Sequence, residues 1–355
     1  MNLRRILDHP GPFATVHLDA SHDTENADHE LELRWRTARD ELAAKGADEK
    51  TLAALEEVVR EPAVGRAGRV LVAAGGEVLL DQWLTDPPPV PTARFGPLPY
   101  LLPLVELDAG RVPYVAAVVN KIGADVRAVD ADGVVRTEHA TDGEDYPVHK
   151  VRGGGWSALH IQRNVDQTVH RNALQVAEEL ARLVDDVGAR LLAVGGDPQA
   201  VAELRSVLSR RCEDIFAEVP GRREADDDFD GWVSDLAAER ARAEQEALVE
   251  RFAGAVADAD GLAVRGLAEA TAALREHNAE AVVLGDVADA TVWVGAEPMT
   301  VALTEDELRA TGVEQATEVR ADEALPAFGV LVGAEVVSTR GLPVEDGVGV
   351  LLRHA

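Results

Sequence analysis

Tyr146-Pro-Val-His-Lys-Val-Arg-Gly-Gly-Gly-Trp-Ser-Ala-Leu-His-Ile-Gln-Arg163, with the polar run that follows it to Val187, decides how this chain is read. Gly153, Gly154 and Gly155 read as a loop tip, because glycine adopts positive φ without steric cost. From Ser157 to Val187 the apolar positions recur at helical spacing, so a long helix is predicted directly after the tip. Between Pro147 and Gln175, Lys150, Arg152, Arg163 and Arg171 stand against Asp166 alone, a net charge of +3 with His149, His160 and His170 neutral. The whole 355-residue chain carries -29. A glycine tip leading into a basic helix suits entry into a crowded anionic place such as folded RNA. The bland alternative is an ordinary loop and a helix whose charges face water.

The surrounding composition narrows the classes. A chain of 355 residues exceeds one ordinary core, so two or three domains are expected. No stretch approaches the roughly 20 uncharged apolar residues of a membrane span, and Met1–Pro10 has no hydrophobic signal core. A single cysteine, Cys212, excludes a disulfide framework and a cysteine-rich zinc site. A cytoplasmic protein is expected. With 64 Asp+Glu against 35 Lys+Arg, the surface as a whole repels polyanions, and any contact with RNA must be made through a local basic patch.

Outward from the glycines, the N-terminal third holds an alternating strand at Phe13–Asp19, helices at Leu31–Leu42 and Glu49–Arg60 parted by Gly46, and a hairpin from Arg69 turning at Gly75-Gly76. Asp86-Pro-Pro-Pro-Val-Pro is stiff and extended. In the middle third, strands are predicted at Val112–Asn120, Ala124–Asp130 and Arg190–Asp197, with a turn at Asp132-Gly133 and a helix at Pro198–Leu208. A charged bridge, Arg222–Asp230, leads to a helix from Trp232 to about Ala257 with many i,i+4 charge pairs. Helix and strand then alternate through Leu262–His277, Ala281–Gly285, Ala290–Val294, Thr304–Thr311 and a closing Phe328–Gly333, the pattern of an α/β/α sandwich. There is no solenoid-type repeat.

Sites for chemistry are sparse. Gly153–Gly155 is followed by Trp156-Ser157 rather than the Lys-Ser/Thr of a phosphate loop, and Val194-Gly-Gly-Asp lacks dinucleotide spacing, so a tight turn after a strand is the better reading. His17, Asp19, His22, Asp23, Asp28 and His29 are the densest set of metal-ligand types, without a closed ligand pattern; capping and solvation are favoured. Ser157 near His149 or His160 lacks a nucleophile elbow, and Cys212, beside Arg210 and Arg211, reads as a packing residue. No catalytic residue, metal or cofactor is expected.

Val151-Arg-Gly-Gly-Gly-Trp-Ser-Ala-Leu-His-Ile161 resembles the Gly-Arg-Gly-Gly-Gln-Ser-Ala-Leu-Arg-Phe of archaeal and eukaryotic class-one release factors and Pelota. Arg163, His170-Arg171-Asn172 and Val176-Ala177-Glu178 resemble the helix after that motif. Leu191–Asp197, Gly266–Ala270 with Ala279–Leu284, and Gly347–His354 resemble later family segments in the right order. The bacterial branch, with its Balon-type ribosome hibernation factors and their actinobacterial relatives, is the most similar. The resemblance implies an α/β chain of three domains: an α+β N-terminal domain over 1–108, a mixed α/β, RNase H-like middle domain over 109–222, and an L7Ae-like α/β/α C-terminal domain over 223–355.

The same resemblance implies a function and flags a departure. The family's water-positioning Gln is replaced by Gly155 and then Trp156, and its Asn-Ile-Lys-Ser stop-codon signature is absent. Peptide release is therefore not expected. What remains is a non-enzymatic monomer that fills the A site of the 70S ribosome and points its loop at the peptidyl-transferase centre of 23S rRNA. His149, Lys150, Arg152, Gly153, Gly154, Gly155, Trp156, Arg163, His170 and Arg171 would make the rRNA contacts. Elongation factor Tu or another translational GTPase would meet the acidic C-terminal domain. The alternatives are a Pelota-like rescue factor and a peptidyl-tRNA hydrolase with another water-positioning group.

Overall fold

The computed structural model describes residues 3–61, 65–131, 133–142, 156–219, 229–258, 261–287, 289–296, 299–339 and 345–355. The N-terminal segment runs α1 (Leu3–Leu7), β1 (Phe13–Asp19), α2 (Ala27–Ala44), α3 (Glu49–Val59), β2 (Gly68–Ala74), β3 (Glu77–Leu84), β4 (Thr92–Gly96) and α4 (Leu102–Ala109). Its strands form an antiparallel sheet ordered β3-β2-β1-β4. Trp35 and Leu31 of α2 and Leu52 and Leu55 of α3 bury against Val16, Leu18 and Leu71. Asp48 caps α3, accepting from the Lys50 and Thr51 amides, while the Thr51 hydroxyl takes the Gly76 amide at 3.0 Å. One cap thus fixes both a helix start and the hairpin turn. β4 and α4 were hidden behind the proline run: β4 forms by pairing with β1, and Pro103 falls in the first turn of α4, where a missing N–H costs nothing.

The middle segment runs β5 (Tyr114–Val119), β6 (Gly123–Val129), β7 (Val135–Asp142), α5 (Trp156–Val187), β8 (Leu191–Gly196), α6 (Pro198–Val207), α7 (Arg210–Asp214), β9 (Phe216–Glu218) and α8 (Phe229–Ala257). The five strands order as β7-β6-β5-β8-β9. The β5–β6 and β6–β7 pairs are antiparallel, whereas β8 lies parallel to both β5 and β9. Residues 143–155 and 220–228, and with them the glycine tip and most of the charged bridge, lie outside the described residues.

The C-terminal segment runs β10 (Ala263–Arg265), α9 (Leu267–Arg275), β11 (Ala279–Leu284), β12 (Thr291–Ala296), β13 (Met299–Ala302), α10 (Glu305–Ala310), β14 (Ala316–Arg320), α11 (Ala321–Val332), β15 (Glu335–Ser338) and β16 (Val348–Leu352). Two sheets result, β10-β16-β11-β15 and β13-β12-β14. Two expectations change here. Leu262–His277 is not one helix: Gly266 at φ 85 separates α9 from Ala263–Arg265, which pairs with β16. Phe328–Gly333 closes a helix, α11, despite its Val- and Gly-rich composition and Pro326, because that helix is buried along most of its length.

Gly110–Glu246 forms one compact unit, and Asn2–Ala109 together with Ala247–Ala355 forms the other. The mixed α/β character expected from the sequence holds, in four sheets among the described residues.

Candidate functional site

The glycine tip is entered from β7 and left through α5. His149, Lys150, Arg152, Gly153, Gly154 and Gly155 lie outside the described residues, as do the side chains of Trp156 and Arg163, whose backbones belong to α5. The helix therefore begins directly after the third glycine, as the spacing predicts. At about 1.5 Å per residue its 32 residues extend ~48 Å.

What holds α5 is visible further along it. Val176, Leu180, Leu183 and Val184 bury against the sheet residues Val115, Ala117 and Val126. One turn before Val176, Asn172 is 3% exposed, and its Nδ2 donates to the Lys121 carbonyl at 3.2 Å. That carbonyl belongs to the β5–β6 turn, which is itself shaped by Asn120, whose Oδ1 accepts from the Ile122 and Gly123 amides at 2.7 and 3.0 Å. Asn172 was not among the sequence candidates. Its signal was a polar residue in phase with the apolar positions 176, 180 and 184.

His170 and Arg171 are the candidates whose side chains are described, and both are exposed on α5. His170 Nδ1 lies 2.6 Å from Oε1 of Glu203 on α6. Its charge, when present, is therefore met within the protein. Beyond Arg171 the helix turns acidic, with Glu178, Glu179, Asp185 and Asp186. Arg182 is drawn into that end, donating to both Glu179 and Asp186. Charge is thus segregated along α5, basic next to the glycines and acidic at its far end.

Gly195-Gly196 is structural. Gly196 sits at φ 124, where a Cβ would lie 2.0 Å from the Val119 carbonyl oxygen, and Asp197 caps α6 through the Gln199 and Ala200 amides. The tight-turn reading accounts for it. Cys212 is 1% exposed among Leu180, Leu204 and Val201, a packing residue.

In the histidine- and aspartate-rich N-terminal stretch, Asp19 takes the Ser21 amide at 3.0 Å and pairs with Arg34 at 3.1 Å, while His22 pairs with Asp28 at 3.1 Å. Asp28 sits in the first turn of α2, whose N-cap is Asn26. Among the described residues no group of three or more His, Cys, Asp and Glu is placed to hold a metal ion. His17 stands apart: burial lowers its pKa to about 4, and its Nε2 has no hydrogen-bond partner. A groove of about 580 Å³ between α2 and α3 is floored by Leu31, Trp35 and Val59. The arginines on its walls are tied to carboxylates, Arg36 to Glu32 and Arg39 to Glu49. No helix among the described residues is long and apolar enough to cross a membrane.

Comparison with known proteins places these elements. The sequence pattern of bacterial archaeo-eukaryotic release factor family 2 matches residues 113–258, the segment that carries β5 through α8 and the glycine tip. The uncharacterized protein Rv2629 of Mycobacterium tuberculosis strain H37Rv is 36% identical over 362 residues, covering 99% of this chain and 96% of that protein. Among solved structures, the archaeal translation termination factor aRF1 is 15% identical over 99% of this chain and 97% of its own, with a TM-score of 0.28. Pelota of Archaeoglobus fulgidus is 15% identical over 82% of this chain and 84% of its own, with a TM-score of 0.34. On the full-length relative and the family pattern, the chain belongs to bacterial archaeo-eukaryotic release factor family 2.

Proposed function

We propose that this chain is a ribosome hibernation factor of the Balon type. It occupies the A site of idle 70S ribosomes and directs Gly153–Gly155 at the peptidyl-transferase centre without hydrolysing peptidyl-tRNA. The observation that carries the reading is the substitution inside the matched segment: Gly155 and Trp156 stand where the release factors have their Gln. Neither residue offers an amide side chain to orient water at an ester, so the chemistry goes while the loop and its helix stay.

Several features agree with this reading. The order β7-β6-β5-β8-β9, with three antiparallel strands and two parallel to the first, is that of an RNase H-like sheet. The C-terminal segment, with α9 and α11 against its sheets, fits an L7Ae-like domain. Basic charge gathers beside the glycines in a chain of -29, so contact with RNA would be confined to that end of α5. There, glycine backbone approaches rRNA closely, Trp156 stacks on an exposed base, and Lys150, Arg152, Arg163 and Arg171 neutralise phosphates with His149. His170 must exchange Glu203 for a phosphate before it contributes. The acidic C-terminal segment suits a protein partner, elongation factor Tu or another translational GTPase.

Co-sedimentation with purified 70S ribosomes at low and moderate salt tests the reading, beside the variant Arg152→Ala, Trp156→Ala, Arg163→Ala. Salt-sensitive binding lost in the variant is expected. No binding at any salt, with elongation factor Tu supplied, would overturn it. Release of labelled peptide from bound peptidyl-tRNA would replace it with the hydrolase, and stimulation of a splitting GTPase with the rescue factor.

A further inference from the structure

Residues 2–109 and 247–355 belong to one compact unit, although each segment has its own sheets and its own buried cluster. The joint between them has an apolar part and a polar part. In the apolar part, α1 and α4, with buried Leu3, Ile6, Leu7, Leu104 and Val105, touch α11 and β15. Apolar burial is non-directional as a driving force and sets no hydrogen-bond angle between the two surfaces.

The polar part is directional. Arg94 on the edge strand β4 donates from Nη1 to Asp322 Oδ1 at 3.0 Å and to Glu323 Oε1 at 2.8 Å, and from Nη2 to Asp322 Oδ2 at 3.0 Å. Arg320 grips the same Asp322 carboxylate from Nε and Nη2, each at 3.0 Å. The Arg94 guanidinium also lies 3.9 Å from the centre of the Tyr100 ring. Three of its members are close to dry, with the side chains of Asp322, Glu323 and Arg94 exposed by 7%, 12% and 19%, while Arg320 closes the outer side at 41%. Burial works against the Arg94 charge, and the hydrogen bonds and charges of Asp322 and Glu323 more than offset it, holding its pKa above the ordinary arginine value. Two guanidiniums and two carboxylates sum to zero. A neutral, desolvated cluster of this kind adds little net stability against well-packed apolar residues, yet a guanidinium fork tolerates only a narrow range of angles. Its place at the joint between the two segments therefore points to orientation.

We propose that Arg94, Asp322, Glu323, Arg320 and Tyr100 form a latch that holds the N-terminal segment in a single orientation on the C-terminal segment. The two ends of the chain then move as one body, and whatever engages one end is felt by the other. The device depends on the fork of Arg94 rather than on its charge alone.

The test uses the full chain with spin labels on exposed positions of the two segments, Glu57→Cys and Glu307→Cys, since Cys212 is buried. Pulsed electron resonance reads the distribution of distances between them. The parent protein is expected to give one narrow distance. Arg94→Ala is expected to broaden that distribution at least twofold while the circular dichroism stays unchanged. Arg94→Met, which keeps a stem over Tyr100 without the charge, should do the same if Arg94→Ala fails to fold. Arg94→Lys should also broaden it, because the ammonium lacks the fork. A narrow, unmoved distance in Arg94→Met or in the double variant Arg94→Ala, Glu323→Ala would overturn the latch. Full retention of the parent width by Arg94→Lys would overturn its dependence on the fork.

Discussion

Half-buried His17 and fully buried Arg69 of the N-terminal segment each have a measurable consequence. His17 is held neutral by burial, with a folded pKa of about 4 against 6.5 in the free side chain. Between those values the unfolded chain binds a proton that the folded chain does not. Stability contributed by His17 is therefore present above pH 6.5, declines as the pH falls through the window and levels off below about 4. Urea midpoints measured from pH 7 to 4.5 should fall more steeply for the parent than for His17→Gln; parallel curves would refute the assignment. Arg69 has no exposed surface at all. Its Nε and Nη2 donate to Asp81 at 2.7 and 2.6 Å, and its guanidinium lies 4.2 Å from the centre of the Trp83 ring. Asp81→Ala strands that charge, and a loss of about 3 kcal/mol is expected. Tryptophan fluorescence against urea, with Trp35 and Trp83 as local reporters, measures it. A loss below about 1 kcal/mol, the scale of an exposed pair, would mean that Glu61 replaces Asp81.

At the scale of elements, local chemistry was legible and distant pairing was not. Strand β1 coincides with the predicted Phe13–Asp19, the hairpin turns at Gly75-Gly76, and α5 starts within a residue of its predicted position, because alternation, glycine turns and helical spacing are carried by near neighbours. β4 exists only by pairing with β1, and β10 only by pairing with β16, so neither has a local signal. Of the candidate site, the sequence found the loop and the basic start of α5. It missed Asn172 and Arg94, whose partners lie 51 and 228 residues away. The closing Gly347–His354 run shows what a motif can conceal. Gly349 on β16 packs under the ring of Phe252 from α8, where a Cβ would lie 2.1 Å from Cζ. Gly349→Ala should cost about 1–3 kcal/mol by overpacking. In a Phe252→Leu background the same substitution should cost at least about 1 kcal/mol less, since the two sites share one space. Additive losses in thermal unfolding would show that Gly349 is needed for its backbone instead.

For the whole molecule, the governing quantity is the contrast between a net charge of -29 and a +3 window around the glycines. No periodicity in the sequence announced that residues 2–109 and 247–355 share a compact unit, because a joint between elements more than 200 residues apart leaves no repeat to detect. Charge distribution, by contrast, is additive along the chain and could be read at once. It makes a prediction about the proposed binding that no single contact carries. Each phosphate neutralised by Arg or Lys steepens the decline of log K with log salt by roughly 0.7–0.9. Repulsion between the acidic body and rRNA is screened by the same salt and works in the opposite sense. The parent slope should therefore be shallower than the number of basic contacts implies. Arg152→Ala with Arg163→Ala should reduce it further by about 2. Trp156→Ala, which removes stacking and no charge, should weaken binding by about 1–3 kcal/mol at every salt concentration and leave the slope alone. Ribosome titrations at four or more salt concentrations separate these effects. A slope that shifts with Trp156→Ala, or stays fixed when both arginines are removed, would mean that the basic start of α5 is not what meets the RNA.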